Sequence, residues 1–253
     1  MTDPNSVLFD YLLRLGDNAL VTGQRLGELV GHGPELEEEL AVANFALDYI
    51  GQARMIFELA GKVEGKGRSQ DDLAFLRDGM DFRNVLLVEQ PNGDFASLIV
   101  RQFLFESFYA LQLEQLMDST DAELAAIAAK AAKEIQYHLR HGRQWLCRLG
   151  DGTEESHRRT QSAVDALWRY TGELFVADDV DKGAADSGFG PNPETLHKVW
   201  LDSVSSALAE ATLAIPEDEW MAGGGKQGRH SEHLGFLLAE MQFLQRAYPG
   251  ATW

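Results

Sequence analysis

The chain has 253 residues, 45% of them hydrophobic, with 40 acidic against 22 basic side chains and a formal charge of −18. That balance excludes a nucleic-acid protein, which needs basic surface to neutralise phosphate, and it opposes adhesion to an anionic membrane. A lone cysteine, Cys147, excludes an internal disulfide and any multi-cysteine zinc site. The N-terminus has no basic region leading into an apolar run, and no stretch is apolar for long enough to span a bilayer, so the expected location is the cytoplasm.

Helical periodicity dominates and no sustained strand pattern is present. The first helix is predicted from about Ser6 to Val30, with Leu8, Tyr11, Leu12, Leu15, Ala19 and Leu26 as its stripe. Gly31 to Pro34 breaks the chain. Pro34 suits a first helical position, and Glu35, Glu37, Glu38 and Glu39 suit the positive end of a helix dipole. The second helix then runs to about Leu59. Leu36, Leu40, Ala43, Leu47 and Ile50 form one stripe; Val42, Phe45, Tyr49, Gln52, Ile56 and Leu59 form another. A helix apolar on two sides is expected inside a bundle.

A loop over Gly61–Arg68 and a short helix over Gln70–Arg77 follow. Gln90 to Asp94 reads as a turn and cap before a third long helix to Met117. Thr120 to Glu123 fits a capping box that opens a fourth, to Leu149. Its seam is Leu124, Ala128, Ala131, Ile135, His138, Gly142, Trp145 and Leu149. A fifth helix is predicted over Glu154–Phe175, then a loop over Asp178–Gly190. A sixth, capped at Asn192-Pro193-Glu194, runs to Leu213, and a last one spans Ser231–Tyr248. The sum is an all-α, single-domain chain, 1–253, whose four longest helices make a bundle with additional helices.

The stretch Lys133–Gly142 carries the chemical question. A helical bundle that binds two irons places Glu-x-x-His on a helix, because residues three apart share a face and reach one metal. His138 is present, but Ile135 stands three residues before it. Glu134 is one position off, about 100° round the helix. The matching midpoint of the second helix reads Tyr49-Ile50-Gly51-Gln52, with Asp48 again one position off. Both motifs fail at the acid and one also at the histidine. Without metal, clustered buried carboxylates repel. The expected arrangement is a core polar cluster in which Asp48, Gln52, Glu134 and His138 satisfy one another.

Zinc on Glu134, His138 and His141 is a second reading, though a fourth ligand is not evident. His230 and His233 flank Ser231, a cap candidate, and read as ordinary first-turn histidines. Gly223 to Arg229 lacks the strand, spacing and hydroxyl of a phosphate loop, leaving Lys226 and Arg229 as the candidates for a phosphate contact. Cys147 reads as a buried small residue.

Six stretches carry a family resemblance: Leu13–Asn18, Gln24–Glu28, Asp48–Arg54, Leu87–Gly93, Lys133-Glu134 with Tyr137–Arg140, and Glu232–Gly235 with Leu238–Gln242 and the ending Pro249–Trp253. In order and combination they resemble the C-subunit family of phenylacetyl-CoA epoxidase, also called ring 1,2-phenylacetyl-CoA monooxygenase. The resemblance implies a ferritin-like fold and a non-catalytic place in an NADPH-dependent oxygenase of aerobic phenylacetate degradation. It implies no cofactor in this chain. The di-iron centre belongs to a catalytic A subunit that this chain binds and stabilises; flavin, iron–sulfur and NADPH belong to a reductase subunit. Tyr49, Gln52, Ile135 and His138 are then degenerate di-iron positions. The alternative is an independent metal-binding ferritin-like enzyme using Glu134 and His138.

Overall fold

The computed structural model describes residues 4–217 and 220–251. Among them the regular structure is helical throughout, without a strand. In chain order the α-helices are α1 (Pro4–Gly27), α2 (Leu36–Glu64), α3 (Gln70–Phe75), α4 (Leu86–Glu89), α5 (Phe95–Leu116), α6 (Ala122–Gly150), α7 (Glu154–Trp168), α8 (Asp179–Asp186), α9 (His197–Glu210), α10 (Glu232–Met241) and α11 (Phe243–Ala247). Among the described residues no helix is long and apolar enough to cross a membrane. The chain divides into two compact units, Met1–Pro91 with Gly224–Trp253, and Asn92–Gly223.

The first unit is organised on α1 and α2. A Cβ on Gly16 would overlap the Phe57 ring, and one on Gly23 would lie 2.9 Å from Ile50 Cδ1. These two pairings run in opposite chain directions, so the helices are antiparallel and close. Tyr11, Leu12, Leu26, Tyr49, Ile56 and Phe57 are buried here, each large apolar side chain contributing about 1.5–3 kcal/mol by burial.

Several predicted boundaries shift. Pro34 lies ahead of the helix and Glu35 is the N-cap residue of α2. The predicted loop at Gly61 is still helical: Gly61 packs under the Arg68 carbonyl, and α2 stops only where Gly65 takes a left-handed φ of 68°. Of the two predicted stripes of α2, Val42, Phe45, Tyr49, Gln52, Ile56 and Leu59 are buried, whereas Leu36, Leu40 and Leu47 are exposed. The predicted last helix breaks at Gln242, whose amide donates to the carbonyls of Ala74 (3.2 Å) and Arg77 (3.0 Å). Beyond that break Leu244 and Tyr248 are exposed.

The second unit is organised on α5 and α6, also antiparallel: Gly142 faces Phe103, and His138 faces Glu106. The α6 cap is Asp121, which accepts from Leu124 N at 2.8 Å; Thr120 instead bonds the Ser187 carbonyl. The buried line of α6 runs as predicted to Gly142, then passes to Leu146 and Gly150, leaving Trp145 and Leu149 half-buried. A straight helix of 3.6 residues per turn drifts away from a strict 4-3 repeat over this length. The predicted fifth helix ends at Trp168, with a 3-10 turn at Gly172–Phe175. The predicted loop after it holds α8, whose N-cap Asp178 accepts from Val180 and Asp181 and whose Ala184 is fully buried. The sixth helix begins as a 3-10 turn at Pro193–Leu196, continues as α9, and ends before Thr212, which takes a positive φ of 59°. Trp200 on α9 is buried and donates to the Leu104 carbonyl at 3.1 Å.

Candidate functional site

In the second unit the chemistry converges on His138. It and Glu106 are each 1% exposed, and His138 Nδ1 lies 3.8 Å from Glu106 Oε1. Gln102, one turn earlier on α5, donates to the same Glu106 oxygen at 3.2 Å. Gly142 gives Glu106 room: a Cβ there would lie 3.7 Å from Oε2. Ile135 shares the His138 face of α6 and is fully enclosed. Glu134 is turned aside and only half-buried. Within this unit the histidine therefore faces Glu106, an acid the sequence reading passed over between Phe105 and Phe108. The signal available was a charge inside an otherwise apolar run.

The first unit holds Tyr49, Gln52 and Asp48. Tyr49 and Gln52 are fully buried on the core side of α2, and Asp48 is half-buried beside them. A phenol and an amide there do not make a carboxylate-rich metal cradle. Among the described residues no group of three or more His, Cys, Asp or Glu side chains is placed to hold a metal ion. Glu134, His138 and His141 form no such group, because His138 points into the core and the other two are half-exposed.

The first unit holds its own network of buried charges. Asp17 of α1 is fully buried and receives both terminal guanidinium nitrogens of Arg77, and Arg83 N donates to it at 2.7 Å. Burial pushes the Asp17 carboxyl up, and the Arg77 charge and hydrogen bonds pull it back only in part. Asn18 next to it accepts from Val85 N at 2.9 Å. Glu89, at the end of α4, is fully buried and accepts from Asn84 (2.9 Å), His230 Nδ1 (2.8 Å) and Ser231 N (2.6 Å). Arg25 holds the Glu89 carbonyl at 2.8 and 3.0 Å and the His233 carbonyl at 2.9 Å. Ser231 is the N-cap position of α10, with its side chain making no capping bond.

The glycine-rich segment over 223–229 presents no anion cradle. Gly225 packs against the Asn84 carbonyl, and Lys226 is buried rather than offered to solvent. Cys147 is half-buried, with its thiol pushed up by burial and by Glu210.

His230 makes this network sensitive to pH. Burial disfavours its imidazolium, but the bonds to Glu89 and the Phe82 carbonyl, with the charges of Glu89 and Asp17, outweigh that and raise its pKa above 6.5. A raised folded value means that the charged ring stabilises the fold. That contribution is complete below the unfolded value and fades as pH climbs through the raised folded one. Urea midpoints of the wild type and His230→Gln, taken between about pH 5 and 9, are expected to differ most at the acid end and converge at the alkaline end. A gap that widens with pH would contradict the pairing.

The fold defines an all-α, ferritin-like helical protein. A family model described as "Phenylacetic acid catabolic protein" matches residues 1–253, and the chain belongs to that family. A curated relative, the C subunit of 1,2-phenylacetyl-CoA epoxidase from Escherichia coli (strain K12), is 51% identical over 243 residues, covering 96% of this chain and 98% of the relative.

Proposed function

We propose that the chain is the C subunit of a phenylacetyl-CoA epoxidase of aerobic phenylacetate degradation in the cytoplasm, a non-catalytic component that binds and stabilises the di-iron A subunit. The observation that carries this reading is the pairing of two facts. The chain is similar over nearly its whole length to the C subunit of such an enzyme, and Tyr49, Gln52 and Ile135, which the family resemblance sets at the iron-ligand positions of a catalytic relative, are all fully buried. Apolar and neutral side chains at those sites keep the core without a metal charge to balance. On this reading the oxygen chemistry belongs to the A subunit, and flavin, iron–sulfur and NADPH to a reductase component.

Two measurements test the reading. The purified chain, incubated anaerobically with iron(II) and desalted, is expected to retain far less than one iron per chain. Tight binding of two irons would overturn it. Co-expression with the A subunit is expected to raise that subunit's soluble yield, and a yield and activity indifferent to this chain would remove the supporting role.

A further inference from the structure

The outward face of α2 carries an apolar stripe that the described residues leave open. Leu36, Leu40 and Leu47 are 68%, 57% and 69% exposed, and Ala43 between them is half-buried. At about 100° per residue they share one sector, opposite the buried Val42, Phe45, Tyr49, Gln52 and Ile56. Their 4-3-4 spacing is that of a coiled-coil seam. One turn further along the same sector comes Gly51. A Cβ there would meet nothing within 4 Å, whereas Gly16 and Gly23 are hemmed in by Phe57 and Ile50. The chain's own packing does not ask for glycine at 51, and glycine inside a helix is destabilising relative to alanine. It does let a foreign backbone come close to the helix.

Charge selects the occupant. Glu37 borders the stripe on one side and Glu39 on the other, within a chain of net charge −18. A second copy would set like charges against each other across the seam; a helix with Lys or Arg beside its apolar stripe would complement them. From Leu36 to Gly51 the stripe runs for about 22 Å, some four turns of an opposing helix. We propose that this face of α2 seats an amphipathic helix of the catalytic subunit, with apolar residues at heptad spacing and basic residues on its flanks. The identity of that partner rests on the structural-subunit reading above; the helix face does not.

The test uses the full chain and the purified catalytic subunit. Leu40→Glu/Leu47→Glu alters only exposed positions, so the isolated chain should keep its helical circular dichroism and thermal midpoint. Its affinity for the catalytic subunit should fall by about 100-fold or more. Phe236→Glu/Phe243→Glu, at exposed apolar positions on α10 and α11, should leave affinity within about twofold. Gly51→Ala should move two readouts in opposite directions, raising the thermal midpoint of the isolated chain while weakening association. If the wild type binds and the α2 variants bind equally well, the face is misassigned and the structural-partner reading stands. If the wild type does not bind the catalytic subunit at all, that reading fails and takes the named occupant with it. A wild-type dimer by light scattering that Leu40→Glu/Leu47→Glu disperses would also overturn the proposal, since the face would then serve a second copy.

Discussion

Replacing Asp17 with alanine is expected to lower the unfolding free energy by about 3–5 kcal/mol, the usual result of removing one member of a buried ion pair. The loss comes from what remains. Arg77 is buried, with its guanidinium 4.4 Å from the Phe82 ring centroid and 5.4 Å from that of Phe57. Without Asp17 it keeps the carbonyls of Leu73 and Asp81 but loses its paired carboxylate. Arg83 N loses its acceptor as well. Asp17→Asn keeps an oxygen for that N–H and should cost less than alanine. Urea denaturation of the three proteins checks the order. A cost for alanine below about 1 kcal/mol would place the pair among weak surface bridges and contradict its burial.

Ile135→Glu is expected to cost about 3 kcal/mol or more at neutral pH, because it puts a carboxylate at a fully enclosed position. Burial would raise that carboxyl above its ordinary value of about 4.3. The variant should therefore come closest to wild-type stability below that value and fall away as pH rises through the raised one. Ile135→Gln has the same shape and no such titration, so its deficit should stay flat. A glutamate variant as stable as wild type at pH 7 would mean that position 135 accepts an acid readily. Isoleucine would then no longer indicate a core built to do without metal.

Much of the fold was legible because long helices repeat their apolar residues many times. The α1 and α6 stripes are examples, and the α6 line failed only where helical drift moved it from Trp145 to Leu146. Short elements were harder. The α8 segment looked like a loop because its acids and glycine outweigh the few apolar positions, yet a cap at Asp178 and one buried alanine suffice to wind it. The break at Gln242 depends on carbonyls of Ala74 and Arg77, which local sequence cannot announce. At the site, Ile135 and His138 were read correctly as core-facing, while Glu106 was hidden by its aromatic neighbours. The exposed leucines of α2 mark a different limit. Periodicity identifies a seam but not whether the surface that closes it belongs to the same chain.

The resemblance motifs also gain a physical meaning. Gly16, Asp17 and Asn18 lie in one of them, Glu89 in another, and each is tied into the close α1–α2 contact or the buried ionic network. They record the requirements of scaffold construction more than those of chemistry.

The first unit is assembled from two separated lengths of chain, and its closing bonds join Glu89 to His230 and Ser231. During synthesis the acid leaves the ribosome long before its histidine, and the whole of the second unit is made in between. The contiguous unit can complete its core first, while the N-terminal helix pair waits with Glu89 uncapped. Synthesis thus delivers the inserted half before the segment that supplies His230 and Ser231 to Glu89.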